Sequence, residues 1–95
     1  MYKLLFSEIA EKDLEKFSTD ERIFIAQKLK YLAQNFDLLK KTKKVKKLQG
    51  YERYYRYVIS RKIRAILEVE GDKLVILILR VGKRKDIYKD LEFLE

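Results

Sequence analysis

Apolar positions recur at helical spacing through the first forty residues and alternate from Arg53 onward. Residues 2–6 form a short apolar run, which predicts a strand. Ser7 then suits the N-cap of a helix, with Glu8 and Glu11 near its positive end. Ala10, Leu14 and Phe17 share one face of that helix. Ser18-Thr19-Asp20-Glu21 fits a capping box, with Ser at N-cap and Glu at N3. The helix it opens carries Ile25, Leu29, Leu32 and Phe36 on one stripe, and the two helices read as a helical hairpin.

The second half reads as β. Strands are expected over residues 53–59 and 63–69, and over residues 74–81 after the turn Glu70-Gly71-Asp72-Lys73. Pairing around the turns sets Ile59 opposite Ile63 and Val58 opposite Arg64. It also sets Val69 opposite Leu74 and Arg64 opposite Leu79. Faces alternate along a strand. Tyr55, Tyr57, Ile59, Ile63, Ala65, Leu67, Val69, Leu74, Ile76 and Ile78 therefore form the face that meets the helices. Tyr54, Arg56, Val58, Arg64, Ile66, Glu68, Val75, Leu77 and Leu79 form the open face. Ile87, Leu91 and Leu94 mark a short C-terminal helix. The expected fold is α+β, one domain over residues 1–95. Two helices pack on a small twisted, mainly antiparallel four-stranded sheet, in the order β-α-α-β-β-β-α.

Charge narrows the function. The 95 residues hold 23 Lys plus Arg against 15 Asp plus Glu, a net +8. Such an excess on a small body points to a polyanion: nucleic acid, an anionic membrane or an acidic protein. A soluble surface that is simply basic is the plainer alternative. With 47% hydrophobic residues the chain is expected to fold despite its charge. The absence of cysteine excludes a disulfide framework and a thiolate metal site. The absence of histidine removes the commonest acid–base group and the commonest zinc ligand. No metal or cofactor is implied. The N-terminal apolar run is too short for a signal peptide, and no run approaches a membrane span of about 18 residues. The expected location is the cytoplasm, away from membranes.

The cations gather in two places. Residues 40–47 include six lysines, which read either as a solvated connection or as a phosphate contact through Lys43, Lys44, Lys46 and Lys47. Arg61, Lys62, Lys83 and Lys85 collect at one end of the expected sheet, near Arg56, Arg64, Arg84 and Tyr88. RNA can be cut by its own 2′-hydroxyl. A site for this must take that proton, stabilise the pentacoordinate phosphate and protonate the leaving 5′-oxygen. Arginine suits the phosphate, which it binds in bidentate fashion while staying charged. Tyr88 suits the base, and Lys83 or Lys85 the proton donor, where neighbouring cations favour their basic forms. Plainer roles stand beside these. Tyr88 can be a packing residue, Arg64 a surface cation paired with Glu68, Arg56 part of a protein interface, and Gly82 the end of a strand. Tyr51 and Tyr54 can stack on bases or simply favour strands.

The order of these pieces resembles the RelE/ParE toxin superfamily of type II toxin–antitoxin systems over nearly the whole chain. The resemblance rests on residues 7–14, on Leu48-Gln49-Gly50, and on Tyr55-Arg56-Tyr57 with Ile63-Arg64-Ala65-Ile66. It continues through Arg80-Val81-Gly82-Lys83-Arg84-Lys85-Asp86-Ile87-Tyr88. It implies a RelE-like fold and, on the RelE side, a metal-independent endoribonuclease that cleaves messenger RNA in the ribosomal A site. Carried over residue by residue, it makes Arg56, Arg64, Arg84 and Tyr88 the catalytic set. Where the RelE pattern has a second lysine on the strand after Arg56, this chain has Val58. The glutamate of a related ribonuclease branch is absent from the lysine-rich loop before Gly50. The implied partners are a cognate antitoxin, in a toxin–antitoxin hetero-oligomer, and the ribosome with its message. Two other readings remain open: a ParE-like poison of DNA gyrase without RNA chemistry, and a non-toxic basic binding module.

Overall fold

Seven elements follow one another through residues 1–88, the part of the chain that the computed structural model describes. They are β1 (Lys3–Phe6), α1 (Glu8–Glu15), α2 (Thr19–Leu39), β2 (Val45–Lys47), β3 (Tyr54–Val58), β4 (Ile63–Glu70) and β5 (Val75–Lys83). The strands form one sheet in the order β1-β5-β4-β3-β2. β1 runs parallel to β5, and the other neighbours are antiparallel. The α+β architecture is as expected, with five strands rather than four.

The extra strand, β2, lies inside the lysine run. Val45 is buried while Lys46 and Lys47 stay exposed, and the segment pairs along β3 with Val45 opposite Tyr57. A single apolar residue among lysines gives no alternation to read, so this strand is set by tertiary burial. The C-terminal helix expected around Leu91 and Leu94 falls outside the described residues. Ile87 lies in a turn.

Both helices start where side chains can satisfy their free N–H groups. Ser7 Oγ accepts from the Ala10 N–H at 3.0 Å. Ser18 Oγ accepts from the Glu21 N–H at 3.2 Å, and Glu21 returns the bond by accepting from the Ser18 N–H at 3.1 Å. Ile25, Leu29, Leu32 and Phe36 of α2 meet Tyr57, Ala65, Leu67, Ile76 and Ile78 in the core. Burying each large aliphatic side chain contributes roughly 1.5–3 kcal/mol. Phe36 is held edge-on between Tyr2 and Tyr55, with ring centroids 5.2 and 5.4 Å away. Among the described residues, no helix is long and apolar enough to cross a membrane.

The two hairpins differ in how closely they follow expectation. Val58 faces Arg64, as the three-residue loop requires. The β4–β5 ladder instead closes at Glu70 opposite Val75, which leaves residues 71–74 as the loop. Leu74 sits there at φ 55, exposed, and not on the core face. A bulge at Leu79 then separates the pair Leu67–Ile78 from the pair Ile66–Arg80. These shifts bring Arg64 opposite Gly82 rather than Leu79. An extra residue reverses the alternation, so Val81 takes the core position beyond Ile78. Gly82 lies within β5 and does not end it.

Candidate nucleic-acid interface and active site

Arg64 begins near the start of β4 and is held by the loop before it. Ser60 Oγ accepts from the backbone N–H groups of Lys62 and Ile63 at 3.3 and 3.2 Å. This local turn presents carbonyls to the guanidinium. Arg64 Nη1 donates to the Ser60 carbonyl, and to those of Arg61 and Ile63 at 3.3 and 3.2 Å. The residue is only 8% exposed. Its Nε has no hydrogen-bond partner among the described residues. Burial pulls the guanidinium below its ordinary value. Tyr88 opposes that shift, while the like charges of Arg56 and Arg84 add to it. Arg64 thus lies within electrostatic reach of Arg56, Arg84 and Tyr88.

Arg84 and Tyr88 are placed by the end of β5. The Arg84 N–H donates to the Lys62 carbonyl at 2.7 Å, which ties this end to the β3–β4 loop. The N–H groups of Asp86 and Ile87 donate to the Lys83 carbonyl at 2.9 and 3.0 Å, closing a single turn. That turn lays Ile87 over Gly82 and against Ile66, where it is buried. Tyr88, the next residue, is 37% exposed. Arg56 approaches from β3 on the same face, opposite Ile66 in the ladder, and its Nη2 reaches the Lys43 carbonyl at 3.4 Å.

Between the β3–β4 loop and the end of β5 lies a cleft of about 570 Å³, lined by Arg61, Lys62, Lys83, Arg84 and Lys85. All five lining residues are cationic, which suits a phosphate-bearing chain. The expected binding residues Arg61, Lys62, Lys83 and Lys85 are brought together here. None of the expected contacts Lys43, Lys44, Lys46 and Lys47 lines this cleft. Lys46 faces Arg56 across the ladder, and Lys44 accepts the Val58 N–H on its carbonyl at 2.8 Å. Lys47 lies opposite Tyr55, on the alternation that faces the helices, and so does not join the cleft. Lys43 lies in the turn ahead of β2 and meets Arg56 through its carbonyl.

The structure also bears on two of the plainer roles. Glu68 pairs with Arg53 at 3.3 Å and not with Arg64. Tyr51 and Tyr54 lie with ring centroids 5.6 Å apart, and join Leu48 and Leu79 around Ile66 and Ile87 in a small apolar cluster on the open face.

One residue near the site was given no role by the sequence reading. Asp13 of α1 is 4% exposed. Its carboxylate accepts from Arg80 Nε at 2.8 Å, Arg80 Nη2 at 3.2 Å and the Val81 N–H at 3.0 Å. The available signal was an acid one turn after Ala10, at the edge of the apolar stripe. A carboxylate rarely occupies such a position without a partner.

The cationic cleft can bind a phosphate and concentrate positive charge around it. The chain matches the family model of the ParE toxin of the type II toxin–antitoxin system parDE over residues 4–88. It is similar to a chain of the intact E. coli RelBE toxin–antitoxin complex, with 26% identity, a TM-score of 0.69, and 87% of this chain and 96% of that one covered. It is similar to the isolated E. coli RelE toxin, with 26% identity, a TM-score of 0.68, and 87% and 84% covered. It is also similar to a chain of the Methanococcus jannaschii RelB–RelE antitoxin–toxin complex, with 32% identity, a TM-score of 0.66, and 88% and 94% covered. No curated protein matches it significantly.

Proposed function

The chain belongs to the RelE/ParE toxin superfamily of type II toxin–antitoxin systems, and we propose that it is a ribosome-dependent endoribonuclease that cuts messenger RNA in the ribosomal A site. The observation that carries this reading is the convergence of Arg56, Arg64, Arg84 and Tyr88 beside the cationic cleft. In this reading the message's phosphate lies against Arg64 and Arg84, and Lys62, Lys83 and Lys85 hold the flanking backbone. The 2′-oxygen attacks phosphorus and the bond to the 5′-oxygen breaks, leaving a 2′,3′-cyclic phosphate. Tyr88 takes the 2′-proton, and a lysine of the cleft returns one to the leaving oxygen. Arg56 adds to the field from β3. The arginines stabilise the charge of the pentacoordinate phosphorus. The ribosome fixes the message in the required geometry, so a site without histidine need not position its substrate alone.

Primer extension on a defined message with stalled ribosomes tests this. The wild type is expected to cut within the A-site codon only when ribosomes are present. Arg84→Ala and Tyr88→Phe are each expected to slow cutting by about 100-fold, the size of a lost transition-state donor or proton acceptor. Undiminished cutting by both folded variants would remove the assignment.

A second reading, a toxin acting on DNA gyrase without RNA chemistry, is favoured by the ParE description of the matching family and by Val58 on the open face beside Arg56. Growth arrest with intact message and inhibited supercoiling by the pure protein is its signature. In both readings the partner is an antitoxin, because the similar RelBE and RelB–RelE structures are toxin–antitoxin complexes. An acidic or amphipathic antitoxin segment would be attracted by the +8 charge.

A further inference from the structure

β1 runs beside β5 only as far as Phe6 opposite Ile78. At Ser7 the chain turns away into α1. The edge of β5 that carries Leu79, Arg80 and Val81 is therefore left without a strand neighbour on that side. The bulge lies in this stretch. Side chains from the start and middle of α1 take over its backbone groups. Ser7 Oγ donates to the Leu79 carbonyl at 2.9 Å, and Asp13 accepts the Val81 N–H at 3.0 Å. The same carboxylate grips Arg80 through two bonds. The bulged residue and the residue two beyond it are thus both fastened to one short helix.

The register shows what this fastening controls. Without the bulge, the ladder that pairs Leu67 with Ile78 would continue to Ile66 opposite Leu79, and Arg64 would face Val81. A one-residue slip turns every later side chain to the other face. Val81 would leave the core, and Lys83 and Arg84 would enter their turn from the wrong side.

We propose that Asp13 is a positioning residue: by holding the Val81 N–H it locks the bulge, and so delivers Arg84 to Arg64. Its effect on cleavage rests on the nuclease reading above. Its effect on the end of β5 does not.

The test compares Asp13→Ala with Asp13→Asn. Asparagine keeps an oxygen for the Val81 N–H but gives up the charge that pairs with Arg80. Circular dichroism establishes that each variant is folded. Amide proton–nitrogen spectra and hydrogen exchange follow Val81, Gly82, Lys83 and Arg84. Single-turnover A-site cleavage separates the rate from the half-saturating concentration. Folded Asp13→Ala is expected to move the Gly82 to Arg84 amides and to cut about 100-fold more slowly, the scale of a misplacement of about an ångström. Its half-saturating concentration is expected to stay within about threefold, because the cations that bind RNA remain. Asp13→Asn is expected to keep the Val81 amide protected and to recover most of the rate. A folded Asp13→Ala with unmoved amides or wild-type cutting overturns the proposal, and so does an Asn variant as slow as Ala. If Asp13→Ala does not fold, loss of Val81 protection in folded Asp13→Asn overturns it instead. If the wild type cuts nothing, the nuclease reading falls and the amides alone decide the positioning role.

Discussion

Burial pulls the Arg64 guanidinium down and pushes the Tyr57 phenol up to about 12, because a poorly solvated setting disfavours the charged form of each. The two shifts have different consequences. Arg64 starts so high that it stays charged at neutral pH, so burial yields a weakly screened cation. Tyr57 donates to the Lys28 carbonyl at 3.0 Å, and Tyr31 nearby adds to its shift. Its phenol ionises near pH 10 in the unfolded chain and near 12 in the folded one. The folded state holds that stability in full below pH 10 and loses it as pH rises toward 12. The loss amounts to about 3 kcal/mol at roughly 1.4 kcal/mol per pH unit. Urea unfolding from pH 9 to 12 is expected to show this slope in wild type beyond any in Tyr57→Phe. Parallel curves would refute it. At this scale the sequence could nominate Arg56, Arg64, Arg84 and Tyr88, since each carries chemistry in its side chain. Asp13 could not be nominated in this way, because its importance lies in the backbone group it meets across the fold.

Loop position proved harder to read than face. Alternation identified the core side of β3 and β4 because a pleat admits only two sides. The Ser60 turn is short enough to leave one register. The β4–β5 loop could move by one residue, shifting the pairing by two without changing any face, and it did so by placing Leu74 in the left-handed region at φ 55. That conformation costs an L-residue about 1–2 kcal/mol. Glycine avoids the clash but gives back roughly 0.5–1 kcal/mol in backbone entropy. Leu74→Gly is therefore expected to stabilise the protein by about 0.5–1 kcal/mol, read from denaturant midpoints. A loss of stability would show that the half-exposed leucine contributes more packing than its backbone strain costs. The bulge and β2 left no mark in the pattern. One is an interruption fixed from a neighbouring helix, and the other depends on a single buried valine.

Across the whole molecule, the proposed nuclease would use the +8 charge and the five-cation cleft together to attract RNA. Binding of a labelled single-stranded RNA should weaken steeply with salt. Each phosphate contact adds about 0.7 to the logarithmic slope. Replacing Lys62 and Lys85 with serine should flatten that slope by about 1.4 in a titration across several salt concentrations. An unchanged slope would place the RNA elsewhere on the surface. The fold class was legible from periodicity, whereas the parallel pairing of the first and last described strands was not, because it joins segments far apart in sequence. That pairing also dictates the order of assembly. Lys3 must wait for Val75, and Arg64 for Gly82. Closing so long a loop is slow, and it cannot begin before its far end exists. A nascent chain of this protein thus leaves the ribosome with Arg84 still apart from Arg64. If the nuclease reading holds, the cell that makes it is shielded until β5 has been synthesised and slots between β1 and the β3–β4 hairpin.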